Sequence, residues 1–290
     1  MANSPPTSRV VRVLDALADA GGALSASDLA RQLDLSTSTL SLILATLRDM
    51  HYVDRLPDRS YQLGSGVMRL LHGLQARFPL LGVANEELSR LAGLFGCGCT
   101  LARVDADSQE VILTAGATAA AGIQPGVRLP LDPPHGAIAM AWRPADEIAR
   151  WLQGAGAADA QRQALAYVRQ LGYAVYGIRR NADAMIEQLR ELLGAVQRAD
   201  SMDALHRQLD ELARAVGSRI YSPEELASGN SLDVSLVIAP AFGADARPRY
   251  LVSLQLMRDA VPVAELESRI AAVMHSARTL TQQIGGIAPG

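Results

Sequence analysis

Residues 25–53 read SASDLARQLDLSTSTLSLILATLRDMHYV, and this stretch decides the fold of the N-terminal part of the chain. Ser25 or Ser27 can cap a short helix from Asp28 to Leu33, whose inner face is Leu29, Ala30 and Leu33. A tight turn at Asp34–Leu35 follows. Ser36 or Thr37 then caps a second helix running to about Met50, with Leu40, Ile43, Leu44 and Leu47 on its buried face. Two short helices joined this tightly must pack closely, which suits a small residue at Ala30. The opposite face of the second helix opens with Ser36, Thr37, Ser38, Thr39 and Ser41. Hydroxyls beside free backbone N–H groups at a helix N-terminus are what a recognition helix offers to base edges and phosphates.

Working outward, Val10, Val13, Leu14 and Leu17 form one face of a preceding helix, and Gly21–Gly22 stop it. Residues 1–7, with Pro5 and Pro6, read as a disordered lead. On the other side, Val53–Leu56 and Ser60–Leu63 alternate like two strands around Pro57–Asp58. That is a β-hairpin wing with Arg55 and Arg59 at or near its tip. Three helices and a hairpin in this order predict a winged helix-turn-helix over residues 8–64. Its DNA-contacting residues would be Ser36, Thr37, Ser38, Thr39, Ser41, Arg48, Arg55 and Arg59.

Composition bounds the rest. A chain of 290 residues suits two domains, and its 49% hydrophobic content suffices for two cores. All 27 basic residues are Arg, so side-chain cations facing phosphate must be guanidinium groups. Residues 1–64 hold six Arg against seven Asp, so DNA binding requires the Arg residues to be sorted onto one face. The two cysteines, Cys97 and Cys99, are too close for an unstrained disulfide and too few for a zinc site; they are core filling or a redox sensor. No apolar run approaches the roughly 20 residues of a membrane span, and the N-terminus lacks a signal-peptide pattern, so a cytoplasmic protein is expected.

At this point the chain resembles the IclR family of transcription regulators. RVVRVLDALAD (9–19) is similar to that family's first helix, and LSASDLARQLDLSTSTLSLILATLRDMHYVDRLPDRSYQLGSGVMRLL (24–71) to its helix-turn-helix, wing and linker start. The likeness continues in NEELSRLAGLFGCGCTLARVD (85–105), RLPLDPPHGAIAMAW (128–142), VSLVIAPAFGADARPRYLVSLQL (234–256) and VAELESRIAAVMHSARTLTQQIGG (263–286). It covers most of 8–180 and 232–286. The family usually has Arg where this chain has Leu42, Gly where it has His51, and Gly-Lys where it has Gly136–Ala137. The last difference implies a modified effector pocket.

The resemblance implies an α+β architecture: the winged domain, a linker helix over 65–79, and a GAF-like sensor domain over 80–290 with a small-molecule cup on one face of an antiparallel sheet. Strands are expected near Cys97–Val104, Glu110–Ala115, Val127–Leu131, Ala174–Ile178, Val234–Pro240 and Arg249–Leu256. Helices are expected near 82–94, 135–141, 144–153, 159–171 and 263–284. Residues 183–230 look inserted. Met185 or Ile186, Leu189, Leu193 and Val196, then Leu205, Leu209, Leu212 and Val216, read as an antiparallel helical pair that either covers the sheet or offers an interaction face.

No Walker loop, no GxGxxG after a strand and no HExxH is present, and the five His are scattered, so neither an enzyme nor a cofactor or metal is expected. Candidate effector residues are His135, Gly136 and Ala137, at a helix start that could meet an anion, and Val234, Leu236, Ser253 and Gln255 on the closing hairpin. Ser253 and Gln255 share one strand face, which is either a lined cavity or open to water. The expectation is a ligand-controlled DNA-binding regulator, a homodimer or tetramer on a double-stranded operator, with an organic acid as effector. The alternative is a sensor or interaction module whose winged domain no longer binds DNA specifically.

Overall fold

The computed structural model describes residues 4–78, 80–116, 123–133, 136–153, 158–177 and 219–289. The chain divides into two compact units, Met1–Pro79 and Leu80–Gly290.

In the first unit, α1 (Pro5–Asp19), α2 (Ala26–Leu33) and α3 (Thr37–Asp49) precede a hairpin of β1 (Val53–Arg55) and β2 (Tyr61–Leu63), and α4 (Gly66–Arg77) follows. The helix begins within the expected N-terminal lead, at Pro5. Both prolines sit in its first turn, where an absent N–H leaves no hydrogen bond unmade, so they start a helix rather than prevent one. Val13, Leu17, Leu29, Leu33, Leu40, Leu44, Leu47 and Val53 close the core. Arg12 donates to the Leu33 carbonyl at the end of α2 (3.1 Å), which ties α1 to the helix-turn-helix.

Ser25 caps α2 by accepting from the Asp28 N–H, and Ser36 caps α3 by accepting from the Thr39 N–H. The α3 C-terminus closes on two crossed bonds, Tyr52 N–H to Leu47 O (2.8 Å) and His51 N–H to Arg48 O (2.9 Å). This closure needs a left-handed residue, and His51 supplies it at φ 63. Glycine fits such a position without strain. The Gly64-Ser65-Gly66 stretch packs against this end. A Cβ on Gly64 or Gly66 would lie 2.6 or 2.7 Å from the His51 carbonyl oxygen.

In the second unit, a six-stranded antiparallel sheet runs β5-β4-β3-β8-β7-β6. Its strands are β3 (Gly98–Val104), β4 (Ser108–Ala115), β5 (Arg128–Pro130), β6 (Ala174–Gly177), β7 (Leu232–Phe242) and β8 (Pro248–Val261). One face packs on α5 (Leu80–Phe95) and α10 (Val263–Gln283). The other carries α6 (Ala137–Met140), α7 (Ala145–Gln153) and α8 (Ala158–Leu171). Each strand and helix that was expected in the described residues is present, with ends shifted by a few positions. One short helix was not expected: α9 (Pro223–Leu226), closed by a capping box between Ser222 and Glu225.

The helical pair expected over 185–216 lies outside the described residues. Residues 219–226, counted in the sequence as part of the inserted stretch 183–230, are built into the domain. Ile220 bridges Tyr176, and Ile220, Tyr221 and Leu226 are buried. The Tyr221 hydroxyl donates to the Asp233 carbonyl (2.9 Å).

Candidate functional site

The outward face of α3 is hydroxyl-rich. Ser36, Thr37, Ser38 and Ser41 are exposed, while Thr39 is half-buried. Ser36 lies within reach of both the Ser38 hydroxyl (3.2 Å) and the Thr39 hydroxyl (2.9 Å) as well as its capped N–H. Ser36 and Thr39 therefore hold the helix start, with Ser38 bonded to Ser36 beside them, and Thr37 and Ser41 are exposed on the same face. Arg48 lies at the far end of α3 and pairs with Asp49 (3.2 Å). Sequence reasoning did not include Leu42 among the contact residues. It stands in the middle of the same face with 72% of its surface exposed, in contrast to Leu40, Leu44 and Leu47 of the same helix, which are buried.

The hairpin places the other two Arg residues. Leu56 to Arg59 form a turn closed by the Arg59 N–H on the Leu56 carbonyl (2.9 Å), and Arg59 takes the left-handed position at φ 69. Asp58 accepts from both the N–H and the hydroxyl of Ser60 (3.0 and 2.6 Å). These bonds hold its carboxyl below the ordinary range and stiffen the tip. Arg55 lies 5.9 Å over the Tyr61 ring. Neither Arg55 nor Arg59 has an ion pair among the described residues, so both guanidinium charges at the tip are unneutralised there.

In the second unit, register decides which residues share the α6 face. Thr114 pairs with Thr100, and Thr100 with Ser253; the next row brings Gly98 to Gln255 and Gln255 to Leu236. Thr114, Thr100, Ser253, Gln255 and Leu236 thus form a contiguous patch. At one end it borders the apolar cluster of Ala102, Ala137, Ile138, Tyr176, Ile238 and Leu251. Thr100 is 5% exposed and Thr114, Ser253 and Gln255 are half-buried, and none of the four side chains is hydrogen-bonded to another described residue. Thr100 and Thr114 were missed because their strands read as apolar runs. Only the partner strands reveal that their hydroxyls line up with Ser253.

Val234 does not join this patch. It is buried in the α5–α10 core. Strict alternation would put Val234 on the Leu236 face, but the register between them shifts. Against β6, β7 carries one extra residue here: Tyr176 pairs with Leu236 and Gly177 with Val234, which leaves Ser235 bulged. A bulge of this kind moves every later side chain to the opposite face. Ser235, beside the shift, is fully buried and donates to the Tyr176 carbonyl (3.0 Å).

The helix start at 136–138 also differs from expectation. His135 lies outside the described residues. The Gly136 N–H, expected to face an anion, donates to the Asp132 carbonyl (3.1 Å). Gly136 is required by packing, because a Cβ there would overlap the Leu131 carbonyl. The Trp151 indole N–H donates to that same carbonyl. Ala137 is fully buried in the apolar cluster.

Other candidate chemistry falls away. Cys99 is fully buried on β3, and Cys97, just before the strand, donates to the Phe95 carbonyl (3.3 Å). Burial, with Cys97 adding a smaller push, raises the Cys99 thiol to about 12, so it is no thiolate at neutral pH. The cysteines are core residues. Among the described residues no cluster of three His, Cys, Asp or Glu could hold a metal. No described helix is long and apolar enough to cross a membrane. A 340 Å³ cleft lined by Arg103, Asp105, Arg249 and Tyr250 opens at the end of the β7–β8 hairpin. Its guanidinium groups are already held, Arg103 by Glu110 (2.7 Å) and Arg249 by Asp245 (3.0 Å).

Helices, turn and wing together define the first unit as a winged helix-turn-helix, followed in the chain by an antiparallel sheet covered on both faces. Residues 6–57 match the IclR helix-turn-helix domain. No curated protein matches the chain by sequence. Among solved structures, the Thermotoga maritima IclR is similar over 96% of this chain and 98% of its own, with a TM-score of 0.55 at 15% identity. HmgR of Pseudomonas aeruginosa is similar over 97% and 99%, at 0.51 and 18%. An IclR homolog from Microbacterium hydrocarbonoxydans, complexed with 4-hydroxybenzoate, is similar over 97% and 99%, at 0.50 and 17%. The chain thus carries an IclR-type helix-turn-helix domain and has the fold of the IclR regulators along its whole length.

Proposed function

We propose that this protein is a transcription regulator whose first unit binds operator DNA and whose second unit binds a small molecule that controls it. The observation that carries the reading is the IclR-type domain itself, with the hydroxyl-bearing N-terminus of α3 and the unpaired Arg55 and Arg59 of the wing exposed together. Helix N–H groups and hydroxyls orient on phosphate and base edges, and the wing guanidiniums supply the cations that the near-neutral net charge lacks.

The effector is assigned to the α6 face of the sheet. A row of three hydroxyls and one amide beside an apolar cluster suits a small, partly apolar molecule with a few polar groups. The solved relative with 4-hydroxybenzoate carries ligand chemistry of that kind. An organic acid remains the proposed class. Its polar groups would be met by Thr100, Thr114, Ser253 and Gln255 rather than by the Gly136 amide. Two copies are proposed to act together through α4. Met68, Leu70, Leu71 and Leu74 of this helix, and Phe78 just beyond it, are all exposed, and a second copy would cover them. Paired wings would then read two half-sites.

The test is purification of the full chain and selection of duplexes from a random-sequence pool. Enrichment of one sequence, with Kd altered by an organic acid such as 4-hydroxybenzoate, supports the reading. Failure to enrich any duplex refutes it. A second reading, an interaction module without specific DNA binding, is favoured by exposed Leu42, since an apolar side chain also suits a protein surface. Mass measurement of the chain with and without DNA distinguishes the two.

A further inference from the structure

We infer that Leu42 reads the C5-methyl groups of thymines in the major groove and is the main determinant of sequence preference on α3. The inference rests on the DNA-binding reading above. It starts from what the exposed face lacks. Side chains that read bases by paired hydrogen bonds are Arg or Lys for guanine, Asn or Gln for adenine, and Asp or Glu for cytosine. None of these occurs between Thr37 and Thr46. Arg48, the first cation along the helix, is beyond that stretch and pairs with Asp49.

What remains outward on the first two turns is Thr37, Ser38, Ser41, Leu42 and the half-buried Ala45. Hydroxyls accept or donate singly and discriminate weakly between bases. Leu42 is the one large apolar group, 72% exposed and one turn on from Ser38. Its backbone is held in register because the Leu42 carbonyl accepts from the Thr46 hydroxyl (3.0 Å) while Leu40 and Leu44 anchor the helix on either side. The only apolar group that unmodified DNA presents on a base edge in the major groove is the thymine methyl. An isobutyl group pressed against any other edge leaves polar atoms dehydrated without partners, so Leu42 both attracts thymine and rejects its alternatives.

Deoxyuridine removes that methyl and leaves every hydrogen-bonding group of thymine unchanged. The experiment selects a duplex from a random pool with the full chain and replaces its thymines one at a time by deoxyuridine. At the thymines that meet Leu42, each replacement is expected to weaken binding about 4-fold, and replacement in both half-sites by roughly 15-fold. Leu42→Ala, on an exposed position that does not endanger folding, should bind more weakly and become indifferent to deoxyuridine at those positions. Thr37→Ser should retain the sensitivity. Selection of a duplex that is insensitive to deoxyuridine everywhere would overturn the inference and leave the DNA-binding reading intact. Sensitivity that persists in Leu42→Ala but vanishes in Thr37→Ser would also overturn it. Failure to select any duplex would overturn both.

Discussion

The two faces of the six-stranded sheet are built from the same strands yet differ in kind. Toward α5 and α10, Cys99, Leu101, Val237, Ala239, Val252 and Leu254 are all within 1% of full burial and meet Leu88, Leu91, Val273 and Leu280. No polar side chain of β3 or β8 interrupts that core until Arg103, at the sheet's end. Toward α6, apolar packing gives way to Thr100, Thr114, Ser253 and Gln255. Full burial of apolar groups is where stability resides. Thr114, Ser253 and Gln255 are only half-buried, so their polar groups stay within reach of water or of a small molecule that would replace it. The α5–α10 face is apolar throughout its centre, whereas the α6 face combines a buried apolar cluster with the polar patch.

This contrast is open to mutation, from large effects to small. Leu254→Ala, on the packed face, is expected to destabilise by roughly 2–5 kcal/mol in chemical denaturation. A loss close to zero would mean that the two faces are equivalent. Cys99 on the same face gives a pH signature. Its folded value of about 12 stands above the ordinary 9.0, so the neutral thiol favours the folded state. That contribution is fully present below pH 9.0 and is lost as pH rises toward about 12. The Cys99→Ala variant should lose this part of the alkaline slope. Iodoacetamide at neutral pH should label Cys99 only after unfolding.

On the other face the signs change. Thr100→Val removes a hydroxyl with no hydrogen bond to a described residue from a position that is 5% exposed, and should be neutral or stabilise by up to about 1 kcal/mol in thermal unfolding. Ser253→Ala is expected to shift stability by less than about 0.5 kcal/mol. It should nevertheless weaken binding of the small molecule, measured by calorimetry. If Ser253→Ala destabilises as Leu254→Ala does, the hydroxyl belongs to the core and the binding face must be sought elsewhere.

Much of this architecture is legible in the sequence because periodicity survives into structure. Leu40, Leu44 and Leu47 mark the buried side of α3, and Ser36 marks its start. The places where reading fails share a physical cause. The misplacement of Val234 comes from a bulge at Ser235, where β7 has one residue more than its neighbour β6 and nothing in the sequence announces it. The patch residues Thr100 and Thr114 become visible only through strand pairing, which is long-range information. Gly136 reads in sequence as an amide that could meet an anion, whereas the structure gives it a packing reason: a Cβ there would overlap the Leu131 carbonyl. Leu42 is the opposite case. Its spacing places it off the apolar stripe, and its exposure was therefore readable, although its use was not.

The wing and α3 bear the central claim, and salt dependence tests it most directly. Dissociation constants of the full chain for its selected duplex should be measured from about 50 to about 200 mM salt. With Arg55 and Arg59 contributed by each of two copies, plus a few backbone contacts, affinity is expected to fall by roughly 10²-fold or more across that range, while selectivity over a scrambled duplex persists. Binding that is indifferent to salt, or equal for both duplexes even at the lowest salt, would contradict a DNA-reading role for the first unit.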